Sequence, residues 1–279
     1  MPQTTRATTV APEALFALGA ISQYLGAAIA VGLFDSIEPA GVAWYRVMGA
    51  GLIIVAWRRP WERRWTRVEV GWAAAFGTVL AFMNLAFYLA LDDLPLGNAV
   101  AIEFLGPIAV AVVGSRTWRA WGALLLAVGG VVLLAEVQPE GSARGVLFAL
   151  LAGACWAGYI VLGHRVARSG SAVDGLGVGM LIGAGAITFA AWPHLGDALQ
   201  PPTLLVLALT TGLLSNAVPY AIDQVVLQRI DQYRFALLQA ILPASATLIG
   251  LIALSQVPTP AEIVGIGLVV AGLVVRGRD

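Results

Sequence analysis

The sequence predicts an all-α integral membrane protein with ten transmembrane helices, arranged as two inverted five-helix repeats. Three observations carry this. The 279 residues are 59% hydrophobic and 11% charged, with a mean hydropathy of +0.85; a soluble domain has about a quarter of its residues charged. The apolar residues fall into ten runs, each close to the roughly 17–25 residues that cross a hydrocarbon layer. And the second half of the chain echoes the first at a nearly constant offset.

The first span is read from Pro12 to Phe34, the second from Pro39 to Trp57, and the third from Val70 to Leu91. The fourth runs from Pro95 to Ser115, the fifth from Trp118 to Ala135, the sixth from Arg144 to His164 and the seventh from Ala172 to Trp192. The eighth covers Pro202 to Leu227, the ninth Tyr233 to Leu254, and the tenth Pro260 to Val275. Glycine is frequent within them, as expected where bare backbones let membrane helices approach. The polar start MPQTTRATTVAPEA leads into an apolar run with no clear cleavage site. It is therefore read as an uncleaved first span and not a removable signal peptide.

Orientation follows from the basic residues, all sixteen of which are arginine; the absence of lysine is read as coding bias. Arg6, the cluster Arg58, Arg59, Arg63, Arg64 and Arg67, and the pairs 116/119, 165/168, 229/234 and 276/278 total fourteen, all on one side. The other side holds only Arg144, with acids such as Asp35, Asp92, Asp93 and Asp197. Basic loops stay in the cytoplasm. Both termini are thus expected to be cytoplasmic, in a multi-pass protein of the plasma (inner) membrane. The loop RRPWERRWTR is read as this topological signal before any lipid-binding role. Trp44, Trp57, Trp61, Trp65, Trp118 and Trp192 fall near the expected interfaces, where aromatic belts sit.

The internal repeat is ordered along the chain. LFAL at Leu15–Leu18 recurs at Leu147–Leu150, and Ala20 and Gly26 match Ala152 and Gly158, an offset of 132. Later the offset is 136: Pro107 falls on Pro243, Gly114 on Gly250, and Glu103 on Gln239. The expected units are residues 12–136 and 144–276. Five spans per unit invert the second in the membrane, the usual architecture of alternating-access carriers, with the site at the repeat interface.

Inside these spans the polar residues carry the functional argument. Glu103 lies in LPLGNAVAIEFLGPIAVAVVG with no charged neighbour, and a carboxylate in hydrocarbon is by default a functional hypothesis. Pro107 has no N–H, so the carbonyl of Glu103 loses its helical partner. Ala99, Gly106, Val110 and Gly114 share the face of Glu103; such mostly small residues point that face into the bundle. The alternative is a structural carboxylate locking two helices. Pro243 frees the carbonyl of Gln239 in the matching place.

Arg46 lies seven residues from Pro39 and Glu103 eight from Pro95, so both sit about 10–12 Å below the outer surface. Each alone costs on the order of 2.5–3.5 kcal/mol to insert, so each needs a partner. Two readings stand: a substrate carboxylate on Arg46 with an ammonium or proton on Glu103, or a structural ion pair between them. Asp223, four residues after Pro219, is read first as an interfacial aspartate balanced by Arg229, and second as a coupling group. Gln23, Asn84, Ser215 and Asn216 line a path or bond across helices. Cys155 is alone and reads as a small buried hydrophobe. His164 and His194 are isolated at span ends, so no metal site is expected, and no cofactor or nucleic-acid partner is implied.

The stretch FMNLAFYLALDDLPLGNAVAIEFLGPIAVAVVGSR resembles the corresponding region of the bacterial threonine and homoserine exporters. These carry the EamA domain twice, within the drug/metabolite transporter superfamily. The resemblance continues through GACWAGYIVLGHR and SNAVPYAIDQVVLQRI and covers most of the chain. It implies a ten-helix exporter of amino acids, driven by protons, as monomer or homodimer. On the matching motif, Asn84, Tyr88, Glu103 and Pro107 would line the central cavity, and Asp223 stands where relatives often have glutamate. The chain departs from the family at Leu242, where a glutamate commonly precedes the proline of the ninth helix. It departs again at Ser255 and Gln256, where a Gly-Glu pair is common.

The expected function is therefore export of small neutral amino acids. Other cargoes of the superfamily, such as aromatic amino acids or small cationic drugs, form the alternative. An intramembrane enzyme is the rival class, but the spans contain no paired aspartates, serine–histidine couple or HExxH motif.

Overall fold

Proline, glycine and charge punctuate the chain where its helices begin, break and end. The computed structural model describes residues 12–115, 117–136, 143–169, 172–199, 201–229, 239 and 241–276. Within these, the helices are α1 (Pro12–Val31), α2 (Pro39–Arg58), α3 (Arg67–Leu91), α4 (Leu96–Glu103), α5 (Leu105–Ser115) and α6 (Trp118–Glu136). Then follow α7 (Ala143–Arg168), α8 (Ala172–Ala191), α9 (Pro202–Gly212), α10 (Val218–Arg229), α11 (Ile241–Leu254) and α12 (Pro260–Arg276). Among the described residues there is no strand. Six helical stretches are long and apolar enough to cross a membrane, and four shorter apolar helices accompany them.

Two expected spans differ in detail. The fourth is broken: α4 ends at Glu103 and α5 begins at Leu105. The cause is Pro107, which cannot donate to residue 103 and disturbs the turn before it. The eighth is α9 and α10 joined by a π-helical turn, Leu213–Ala217, placed ahead of Pro219 for the same reason. Of the ninth, residues 233–238 and 240 lie outside the described residues.

Ends are secured locally. Thr66 and Glu69 form a capping box at the start of α3: the Thr66 N–H donates to Glu69 Oε2 at 2.8 Å and the Glu69 N–H to Thr66 Oγ1 at 3.2 Å. Arg63 pairs with Glu69 at 2.5 Å, and Arg58 reaches Asp174 on α8 at 2.8 Å. Part of the basic loop thus ties α2 and α3 to α8. At the opposite end Arg144 pairs with Asp92 at 3.3 Å and Asp93 at 3.7 Å, joining α7 to the end of α3.

Packing runs across the chain midpoint. α3 lies on α7 and α8, α2 on α8, and α6 on α12, while α9 and α10 lie on α1 and α2. Glycines set the closest crossings. A methyl placed on Gly77 of α3 would sit 1.8 Å from the carbonyl oxygen of Gly179 on α8. On Gly212 it would sit 2.5 Å from the Arg46 carbonyl of α2. The obstacle is backbone in both cases, so only glycine fits. Trp57, Trp61, Trp118 and Trp192 are exposed, together with Leu125, Val132, Phe189 and Ile252. This apolar exterior suits lipid, which solvates such side chains.

Candidate substrate cavity

The two breaks put polar atoms at the centre of the bundle. Between α1, α2, α3, α4, α7, α10 and the start of α11 lies a cavity. Of the expected site residues, Gln23, Arg46, Asn84, Glu103, Asp223 and Gln239 line it. Both halves of the chain therefore contribute.

Glu103 is 5% exposed. Among the described residues its carboxylate has no hydrogen-bond or ion-pair partner within reach. The main-chain carbonyl that Pro107 frees does not face the cavity. It is directed at α7, where a methyl on Gly153 would lie 2.6 Å from it. Gly106 packs on the Gly153 carbonyl in the same crossing. Gly106, among the small residues near Glu103, thus serves helix packing. The walls are aromatic: Tyr24, Phe87, Trp156, Tyr159 and Tyr220. Trp156 packs edge-on with Phe104 at 4.7 Å, and Tyr159 packs tilted against Tyr220 at 5.5 Å and Phe76 at 5.1 Å.

Arg46 is 3% exposed. It makes no ion pair with Glu103 within 4 Å, although the two lie in electrostatic range. This excludes a direct ion pair between them in this conformation. Its Nη2 donates to Asn216 Oδ1 at 2.5 Å and to the Ser215 carbonyl at 3.5 Å. That carbonyl is available because Pro219, four residues on, has no N–H to give it. The π turn frees the neighbouring carbonyl of Leu214, which accepts from the Ser22 hydroxyl at 2.7 Å. The rule that singled out Pro107 applies to Pro219 as well, and it would have pointed at Ser215.

Tyr88 does not line the cavity. It is fully buried, with its ring under the Arg46 guanidinium, 4.2 Å from centroid to Cζ. Pro107 is likewise outside the lining and acts through the helix break. Asn84 does line the cavity, and its amide donates back to the Leu80 carbonyl at 2.9 Å. Asp223 corrects the first reading. It turns into the cavity and accepts from the Tyr159 hydroxyl at 3.4 Å, with no ion pair to Arg229. Leu242, at one family departure, lines the cavity as an apolar contact. Gln256, at the other, accepts the Leu96 N–H at the start of α4 through Oε1 at 3.0 Å.

The tyrosines and Asn216 carry a signal that was present in the repeat. At the offset of 132, Tyr24 matches Trp156, Asn84 matches Asn216, and Tyr88 matches Tyr220. All six lie in or directly beneath the cavity wall.

Comparison with known proteins identifies relatives of the chain. Residues 143–277 match the EamA-like transporter family. The chain is 34% identical over 250 residues to the threonine/homoserine exporter RhtA of Escherichia coli K12, covering 88% of this chain and 84% of that protein. It is 35% identical over 276 residues to its namesake in Salmonella typhimurium, covering 97% and 93%. An uncharacterized transporter of Bacillus subtilis, YwfM, is 25% identical over 256 residues, covering 86% and 85%. One crystal structure, 19% identical, superposes with a TM-score of 0.66 over 95% of this chain and 98% of the other. It shares the fold.

Proposed function

The chain belongs to the EamA-like transporter family, and on that premise we propose that it exports small neutral amino acids of the threonine and homoserine type. Export works by alternating access and is coupled to protons. The observation that carries this is the cavity itself: one buried cation, Arg46, and one buried carboxylate, Glu103, that do not pair with each other, with a second carboxylate, Asp223, on the same wall. A zwitterion complements both. Its carboxylate faces Arg46 and its ammonium faces Glu103, so neither charge stays bare in low dielectric. A dianion would add a second negative charge beside Glu103, and a dication would meet Arg46. The titratable groups available to carry a proton are Glu103 and Asp223. The aromatic walls favour a second cargo, amino acids with larger apolar or aromatic side chains, in the same polar frame.

Counterflow in proteoliposomes with a panel of labelled amino acids tests the reading. Threonine or homoserine is expected to exchange. Movement of cationic drugs or sugar phosphates with no movement of any neutral amino acid would sink it.

The architecture behind this function is two inverted units, 12–136 and 144–276, across ten spans in the inner membrane. The helix pairing supports it: α3 lies on α7 and α8, while the matching α9–α10 lies on α1 and α2. The unit interface also coincides with the cavity. Both termini are cytoplasmic by the arginine count. Reporter fusions at Glu62, Thr117, Ala167 and after Asp279 are expected to report cytoplasm, and those at Ser36, Asp93, Glu140 and Asp197 the outside. Agreement between the Asp93 and Thr117 fusions would remove a span between them and with it the inverted pair.

A further inference from the structure

Arg46 is a buried cation only partly satisfied. Nη2 is engaged by Asn216 Oδ1 and the Ser215 carbonyl. Among the described residues, Nε and Nη1 have no hydrogen-bond partner, and neither does Asn216 Nδ2 in the same cluster. A buried polar atom left unpaired costs about 1–3 kcal/mol, and an uncompensated charge costs more. The cluster is rich in donors and positive, and among the described residues no carboxylate forms an ion pair with the guanidinium within 4 Å. It lacks one thing, an anion with several acceptor positions.

The groups that do hold Arg46 are all neutral. Asn216 Oδ1 and the Ser215 carbonyl accept hydrogen bonds without cancelling the charge, and the Tyr88 ring supports its face. The π-helical turn supplies both acceptors. Such turns are frequent at functional sites because they release main-chain groups. An aspartate at position 216 would fit the same space and would neutralise the guanidinium permanently.

We propose that the π turn at Leu213–Ala217 is a carboxylate-reading element, in which Asn216 is a positioning residue that holds Arg46 while leaving its charge for the substrate carboxylate. This rests on the reading of the cavity as an amino-acid site and adds the residue that sets its charge selectivity. Arg46 is the member of the cluster that lines the cavity, and it meets the carboxylate through Nε and Nη1.

The test uses the full-length protein and matched acid and amide probes: threonine with threonine amide, and phenylalanine with phenylalanine amide. Binding is read by thermal stabilisation of the purified protein, and transport by counterflow. The wild type is expected to prefer each acid over its amide by about tenfold or more, as for loss of one partner of a buried charge pair. Asn216→Asp is expected to raise KM for the acids by about tenfold and to bring the acid/amide preference near unity. Asn216→Ser, which adds no charge, retains the preference even where it lowers the maximal rate. A purely structural Asn216 would change stability and rate in both variants and leave the preference unchanged. That result overturns the proposal, as does a wild type that binds amides as well as acids, which needs no variant to be seen. Acids that stabilise the protein over amides without threonine flux would sink the threonine reading and leave the subsite standing. Threonine flux without acid preference would do the reverse.

Discussion

Glu103→Gln is expected to abolish export driven by a pH gradient, by about tenfold or more in initial rate, while the protein still inserts and folds. Glutamine keeps the size of the side chain but binds no proton. The corresponding position of the second half already holds a buried glutamine, Gln239, so the fold accepts the amide there. The variant also removes a negative charge from a site where burial of a lone charge costs on the order of 2.5–3.5 kcal/mol, so stability should not fall. Exchange without net proton movement is expected to persist. The measurement is threonine flux from proteoliposomes with and without an imposed pH gradient, at matched protein levels. Wild-type gradient-driven rates in the variant would take Glu103 out of the coupling path.

Overexpression is expected to confer resistance to external threonine or homoserine, and Arg46→Ala to abolish it. Removing one partner of a buried charge pair typically costs about 2–5 kcal/mol, which is roughly 30-fold or more in affinity. The same substitution strips the support from the Tyr88 ring and the acceptors Asn216 and Ser215, so loss of folding has to be separated from loss of binding. Arg46→Lys does this. It keeps the charge but loses the planar fork and the stacking, and partial resistance is expected, between wild type and alanine. Growth at graded threonine concentrations, normalised to membrane-inserted protein, reads the series. Full resistance in Arg46→Ala would show that the substrate carboxylate is held elsewhere.

Much of this site was legible in the chain because membranes penalise charge so heavily. Glu103 and Arg46 stood out as embedded charges, and their similar depth followed from counting residues from Pro95 and Pro39. The loss of a helical partner for the Glu103 carbonyl followed from Pro107. The relation between the two charges was not legible. Depth along two helices leaves their rotation and lateral separation open, and those decide between an ion pair and a shared cavity. Asp223 was misread for the same reason: Arg229 is near it in sequence, whereas Tyr159, which it meets, lies on another helix 64 residues away. Gly153 could not be seen as the partner of the Glu103 carbonyl, because a glycine shows its purpose only once the opposing backbone is known.

By itself the sequence determined where helices lie, which way its arginines predict the loops to face, and which polar residues are embedded in apolar spans. These depend on local quantities: hydropathy over a span, the missing N–H of proline, and the positions of arginines. Only the tertiary structure decided who faces whom. It placed Arg46 over Tyr88 and under a π turn, sent the carbonyl of Glu103 to α7, and walled the cavity with tyrosines from both halves. Burial of a charge can be predicted from its own helix, but its compensation is a property of the neighbours. In a bundle, those neighbours are set by glycine-mediated backbone crossings such as Gly77 with Gly179 and Gly106 with Gly153.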